Sequence, residues 1–250
     1  MLDIVCAGGW LMGPDIWDSV PDLGGRCRVH AIPQPGHGVP GPPPGFTTED
    51  WAGWLVAEAS RRGVERAVYC GHSMGGYVVQ NVVARHPERV LGLVLVGTTD
   101  EAFPEQTQGD FVDLADALMV GWGGPITSTV TDLLLGGAFT AAHPDWVARW
   151  QRRVADEYNL GAIASLSRAV ASHPDMREAM LLVDVPSLVV HGAGDRAVPV
   201  DAGRALAERI PGASFQLVEG SGHCPPLERP AEFGAAVSAF LEGVLAGVPA

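Results

Sequence analysis

A doubly wound α/β fold, with a mainly parallel six-stranded sheet and one helical insertion, is what this sequence of 250 residues predicts. Three observations carry that expectation. Six short apolar runs, at 2–7, 27–32, 66–70, 90–96, 187–191 and 214–219, read as strands. Helical patterns near 48–61, 76–86, 201–210 and 230–246 alternate with them, and such alternation implies parallel strands joined by right-handed crossovers. Glycine-rich turns follow several of the runs, where an open parallel sheet gathers its loops along one edge.

The first run, Leu2-Asp3-Ile4-Val5, closes on the turn Cys6-Ala7-Gly8-Gly9-Trp10. The second leads into Pro33-Gln34-Pro35-Gly36-His37-Gly38, the start of a Pro- and Gly-dense patch that ends at Gly45 and reads as a structural loop over the sheet edge. Thr47-Thr48-Glu49-Asp50 then starts a helix, with capping residues and acid in its first turn, and Arg61-Arg62-Gly63 stops it with base and glycine. The third run, Arg66–Cys70, enters Gly71-His72-Ser73-Met74-Gly75, and a helical stretch from Gly76 to Arg85 leaves it. Beyond the fourth run, Val96-Gly97-Thr98-Thr99 opens a segment without strand alternation. Gly136-Gly137, Gly161 and Pro174 divide it into roughly four helices. Its large apolar residues include Phe111, Leu118, Trp122, Phe139, Trp146 and Trp150, most of which the helical spacing assigns to packing. Arg149, Arg152 and Arg153 share one helical stretch and read as a solvated face, with a carboxylate clamp as the alternative. The fifth run, Ser187–His191, ends in Gly192-Ala193-Gly194-Asp195-Arg196, and the sixth runs into Glu219-Gly220-Ser221-Gly222-His223. The last helix opens at Pro230, whose missing N–H costs nothing in a first turn.

A strand, then G-x-S-x-G, then a helix is the arrangement of a nucleophile elbow. The residue types follow from the physics. A serine on so sharp a turn has strained backbone angles, and glycines two residues to either side keep neighbouring side chains clear. Its hydroxyl then stands above the amino end of a helix, which favours developing negative charge. In the chain order serine, acid, histidine, Asp195 and His223 each lie on a Gly-rich loop just past a strand, so His223 is placed to take the proton of Ser73 and Asp195 to orient the imidazole. Asp100 also follows a strand end and is the weaker candidate for the acid. Asp184 precedes a strand and so belongs to the opposite edge.

On the segments VYCGHSMGGYVVQ, VVHGAGDRAVP and VEGSGHCPPLERP, together with the turn near the start, the chain resembles a single-domain α/β-hydrolase of the capped esterase, lactonase and C–C hydrolase kind. The resemblance implies a core of residues 1–98 and 184–250 that lacks the family's first two strands, and a helical cap at 99–183. It implies Ser73 as nucleophile, Asp195 as acid and His223 as base. By the family's His-Gly-X pattern it makes the Trp10 amide one oxyanion donor and the Met74 amide the second. Gly8 stands where the family usually has histidine, and Pro33 where many relatives carry aspartate. Trp122 and Trp146 are the expected substrate-pocket walls within the cap. A serine in the elbow argues against the relatives that use aspartate there.

A formal charge of −13 argues against nucleic acid and anionic membrane surfaces as partners. No apolar run reaches the roughly 18 residues of a membrane span. Strand residues begin at Leu2 with no leader-like sequence before them, so a cytoplasmic protein is expected. The four cysteines match no metal or redox spacing and are expected as free thiols, Cys224 the more exposed. The histidines show no metal-ligand spacing and no phosphate-binding loop is present, so neither metal nor cofactor is expected. A small-molecule substrate is the expected partner. The reading is a serine hydrolase cleaving an ester, lactone or thioester of a small, mainly apolar substrate through an acyl-enzyme. The alternatives are non-hydrolytic chemistry on the same scaffold, such as C–C cleavage, a lyase or cyclase reaction or acyl transfer, and a ligand-binding receptor that retains the triad.

Overall fold

Alternating apolar strands and amphipathic helices assemble here into a single parallel sheet clothed on both faces. The structure is a computed structural model that describes residues 1–18 and 27–247. The strands are β1 (Leu2–Ala7), β2 (Cys27–Ile32), β3 (Ala67–His72), β4 (Val90–Val96), β5 (Ser187–Gly192) and β6 (Ser214–Val218), all within a residue or two of the expected runs. They pair in the order β2-β1-β3-β4-β5-β6, every neighbour parallel. Position in the sheet explains composition. Every residue of β3 and β5 is buried, as helices on both faces require. The edge strand β2 exposes Arg28, which pairs with Asp3.

The helices obey the local signals. In α1 (Thr48–Arg61), the Thr47 hydroxyl accepts from the Asp50 N–H and the Asp50 carboxylate accepts from the Thr47 N–H, a reciprocal cap. The next helix, α2 (Met74–Arg85), begins directly after Ser73, and its face toward the sheet is buried. Between β4 and β5 lie α3 (Glu105–Val120), α4 (Gly124–Leu134), α5 (Gly137–Ala142), α6 (Pro144–Asp156), α7 (Leu160–Ala171) and the single turn α8 (Arg177–Met180). That is five helices and a turn, against the four expected. The missed breaks are Gly121 and Gly123, whose φ values of 147° and 156° only glycine tolerates, and Pro144, which starts a new helix after His143. After β5 come α9 (Val200–Arg209), α10 (Pro225–Glu228) and α11 (Pro230–Gly247).

This topology locates the site. The chain turns back between β1 and β3: β2 lies on one side of β1 and all later strands on the other. Such a reversal opens a crevice outside the carboxyl ends of the strands. The register brings Ala7 opposite Gly71 and His72 opposite Val96, so the loops after β1, β3 and β4 emerge together. Among the described residues no helix is long and apolar enough to cross a membrane.

Candidate active site

Ser73 sits on the turn between β3 and α2 with φ 52° and ψ −117°. Among the described residues only Leu11 and Ser73 hold a positive φ without being glycine. For a residue with a Cβ this costs on the order of 1–3 kcal/mol, so the surrounding bonds must enforce it. They do: the Ser73 N–H donates to the Val96 carbonyl at 2.8 Å, and the Ser73 carbonyl accepts from the Gly76 N–H at 2.7 Å. The flanking glycines are sterically required. A methyl group on Gly71 would run into the Gly75 carbonyl, and one on Gly75 into the carbonyls of Ala7 and Gly8.

Asp195 and His223 arrive on the loops after β5 and β6. These loops are tied to each other, since the Gly194 N–H donates to the Ser221 carbonyl at 2.8 Å. His223 Nδ1 lies 2.8 Å from Asp195 Oδ2, and both side chains are almost wholly buried. The other carboxylate oxygen accepts from the Ala197 and Val198 N–H groups at 2.8 and 2.9 Å. Burial works to raise the Asp195 carboxyl, but the charges and hydrogen bonds of His223 and His191 outweigh it and hold the group well below the usual carboxylate range. His191 Nε2 lies 3.0 Å from the Val198 carbonyl and 3.2 Å from Asp195, so it packs beneath the acid loop as a support. A side chain at Gly97 would meet Asp195 and His223 at 3.3 Å, which is why the end of β4 stays bare beneath them.

His223 Nε2 is buried without a hydrogen-bond partner among the described residues. His223 lines one cavity together with Ser73, Trp10 and Met74. The open space there is small, about 60 Å³, and the remaining wall includes Tyr77, Phe103, Phe111, Leu134 and Val170. Phe103 stacks on Phe111 and meets the edge of Tyr77, so an aromatic group from α2, α3 and the loop before α3 closes one side. As the first residue of a helix, Met74 has a backbone N–H with no intrahelical acceptor. Gly9 lies against the elbow: a methyl group there would come within 3.1 Å of Ser73 Cβ.

His72, in the middle of the elbow, donates from Nε2 to the His223 carbonyl at 2.8 Å. Burial, with the nearby His223 adding to it, drives its pKa down to about 3, so it stays neutral and bridges the two loops. In the sequence Gln34 reads only as part of a structural loop. Its side chain is buried against Gly8 and donates to the Gly9 carbonyl at 3.4 Å, occupying the space that a larger residue at position 8 would fill. Glu228 was not singled out at all. Its carboxylate accepts from the N–H groups of Gly136, Gly222 and Cys224, clamping the His223 loop to the turn before α5. Its one sequence signal is an acid directly after the apolar stretch Pro225–Leu227.

Other expectations are corrected. Trp122 and Trp146 do not line the cavity. Trp146 stacks on Trp150 and Trp122 meets its edge, forming a packed aromatic cluster around a residue that points back to the core. Cys224 is fully buried, and burial pushes its thiol well above the usual range, which removes it as a reactive thiolate. Asp100 is buried and held by Arg209 at 2.6 Å from both oxygens. Arg153 is paired with Asp15, while Arg149 and Arg152 line an outer cleft that also holds Asp156 and Glu157. Among the described residues no group of three or more His, Cys, Asp or Glu side chains is arranged to hold a metal ion.

Comparisons with known proteins agree on the fold. Residues 4–230 match the family model of the alpha/beta hydrolase fold. The chain is 31% identical over 262 residues to the pimeloyl-[acyl-carrier protein] methyl ester esterase of Aromatoleum aromaticum, covering 96% of this chain and 98% of that one. The counterpart in Chromobacterium violaceum is 27% identical over 260 residues, covering 96% and 94%. Among solved structures, a thermophilic esterase from Thermogutta terrifontis superposes with a TM-score of 0.90 at 23% identity, covering 98% of this chain and 90% of that one. The enol-lactonase of Burkholderia xenovorans superposes with a TM-score of 0.85 at 24% identity, covering 96% and 91%. The chain belongs to the alpha/beta hydrolase fold family.

Proposed function

We propose that the protein is a serine esterase that cleaves carboxylic esters of a small, mainly apolar acyl group through an acyl-enzyme. The observation that carries this is the shared cavity of Ser73 and His223, with His223 Nδ1 already committed to Asp195 at 2.8 Å and Nε2 left unpartnered. In this mechanism His223 Nε2 takes the Ser73 proton as the hydroxyl attacks the ester carbonyl. The Trp10 and Met74 N–H groups stabilise the resulting oxyanion, each such donor being worth about 2.7–4 kcal/mol in the transition state. The tetrahedral species collapses as His223 returns that proton to the departing alkoxide. Water, deprotonated by the same imidazole, then releases the acid from Ser73. Asp195, held ionised, stabilises the imidazolium in both halves.

Residues 1–98 and 184–250 form the core in this reading, and 99–183 the cap. Phe103, Phe111, Leu134 and Val170 from that segment reach the cavity and favour apolar substrate portions, at about 25 cal/mol per Å² buried. The relatives named methyl ester esterases make methyl esters the first compounds to test.

Turnover of short p-nitrophenyl and methyl esters, with covalent labelling by a fluorophosphonate, is the decisive experiment. Hydrolysis with label on Ser73 is expected. Label without turnover would overturn the esterase reading in favour of other chemistry on the fold, and no label would remove the nucleophile.

A further inference from the structure

The turn Gly9-Trp10-Leu11-Met12 is closed by the Met12 N–H donating to the Gly9 carbonyl at 3.1 Å. Its third residue, Leu11, has φ 56°, a conformation that turns of this kind usually assign to glycine. Leu11 is fully buried and its strain must be held from outside. The planar peptide between Gly9 and Trp10 contains both the Gly9 carbonyl and the Trp10 N–H, pointing in opposite directions. Whatever keeps the Gly9 carbonyl on Met12 therefore aims the Trp10 N–H the other way.

Two indole hydrogen bonds tie this turn to the helices inserted after β4. Trp150 Nε1, on α6, donates to the Leu11 carbonyl at 2.9 Å, and Trp10 Nε1 donates to Ser167 Oγ, on α7, at 2.7 Å. Neither bond is loose. Ser167 is itself anchored, donating to the Ile163 carbonyl at 2.8 Å, and Trp150 is buried between Trp146 and Trp122. Trp122 in turn donates to the Gln151 carbonyl at 3.0 Å. Trp150 does not line the cavity, so it has no direct claim on the substrate, whereas Ser167 lines it beside Trp10.

We infer that Trp150 and Ser167 are positioning residues: through these two bonds α6 and α7 hold the strained turn in the form that presents the Trp10 N–H to an oxyanion. The inference rests on the esterase reading above and assigns the tryptophan cluster to aiming the oxyanion donor.

The test is Trp150→Phe, which keeps the ring and deletes the donor. Active sites are counted by fluorophosphonate titration, kcat and KM are measured with p-nitrophenyl acetate, and inhibition is measured with a trifluoromethyl ketone that forms a tetrahedral adduct. Expected is a fall in kcat per titrated site of roughly tenfold to a hundredfold, short of losing a donor outright. KM should stay within about twofold and ketone affinity should weaken in parallel with kcat/KM, since a positioning effect acts on the transition state. Unchanged kcat per site with a lowered Tm, or a raised KM at constant kcat, would overturn the inference. If Trp150→Phe does not fold, Ser167→Ala against Ser167→Thr decides: because Ser167 lines the cavity, only the variant without a hydroxyl should lose kcat per site and ketone affinity, with KM within about twofold, and equal behaviour of the two or a raised KM at constant kcat overturns it. Failure of wild-type protein to take label on Ser73 would mark failure of the esterase reading instead.

Discussion

At the scale of single residues, the strongest expectations concern groups that act as one unit. Ser73→Ala and His223→Ala should each reduce ester hydrolysis by a factor on the order of 10⁴ or more, and the double variant should lose little beyond either. A kinetic cycle with additive losses would show that the two share no step. Asp195→Asn should cost about 10⁴-fold, because the amide cannot hold the imidazole tautomer. Asp100→Asn, at a carboxylate bound by Arg209, should leave activity per folded molecule within about tenfold. Asp195 is held ionised far below neutrality, so it stays charged wherever the reaction would be run. The same depressed carboxyl means that the stability Asp195 contributes is fully present above the unfolded value near about 3.9 and is lost as pH falls through the lower folded one. The difference in stability between wild type and Asp195→Asn should therefore shrink only in acid, which urea denaturation from pH 2 to pH 7 would show.

At the scale of elements, steric space separates glycines that shape the site from glycines that merely occupy helices. Gly75, in the first turn of α2, faces the carbonyls of Ala7 and Gly8 with no room for a methyl group. Gly75→Ala must push β1 away from the elbow, and should destabilise by about 3 kcal/mol with loss of activity. Among the described residues nothing would lie within 4 Å of a methyl group on Gly53, inside α1. Gly53→Ala should stabilise by about 0.5–1 kcal/mol through helix propensity, leaving activity intact. Opposite signs in urea melts are the expected result, and equal destabilisation would refute the steric account. These elements were legible beforehand. The capping pair Thr47–Asp50, the stop at Gly63 and the elbow are local signals that no distant contact overrode. The insertion was less legible, because Gly121, Gly123 and the His143–Pro144 junction break helices that pattern alone runs together.

At the scale of the whole molecule, substrate choice and stability both depend on contacts between segments far apart in sequence. Among the described residues those around Ser73 include no arginine, and the outer arginines Arg149, Arg152 and Arg153 line a separate cleft, Arg153 paired with Asp15. Neutral esters should therefore be preferred over carboxylate-bearing ones of matched size in kcat/KM. The reverse preference, lost on changing Arg149, Arg152 or Arg153 to Ala, would revive the clamp. The ion pair of buried Asp100 with half-buried Arg209 fastens the loop after β4 to α9. Arg209→Met should cost about 3–5 kcal/mol, since it strands a buried carboxylate, and a loss within 0.5 kcal/mol in urea denaturation would refute that view.

By itself the sequence determined the six strands and their parallel, helix-alternating character, and it marked Ser73, Asp195 and His223 as the candidates. Strand periodicity, helix caps and Gly-rich turns are all written within a few residues. Tertiary structure decided everything that required knowing which face of a helix looks inward. It turned Trp122 and Trp146 away from the cavity toward Trp150 and buried Cys224. It placed Gln34 beside Gly8, and brought the Glu228 carboxylate onto three backbone amides, one of them 92 residues away in the chain. Helical spacing specifies a stripe but not its partner. A side chain whose role is to hold a distant backbone group leaves no local pattern, and only the folded chain shows what it holds.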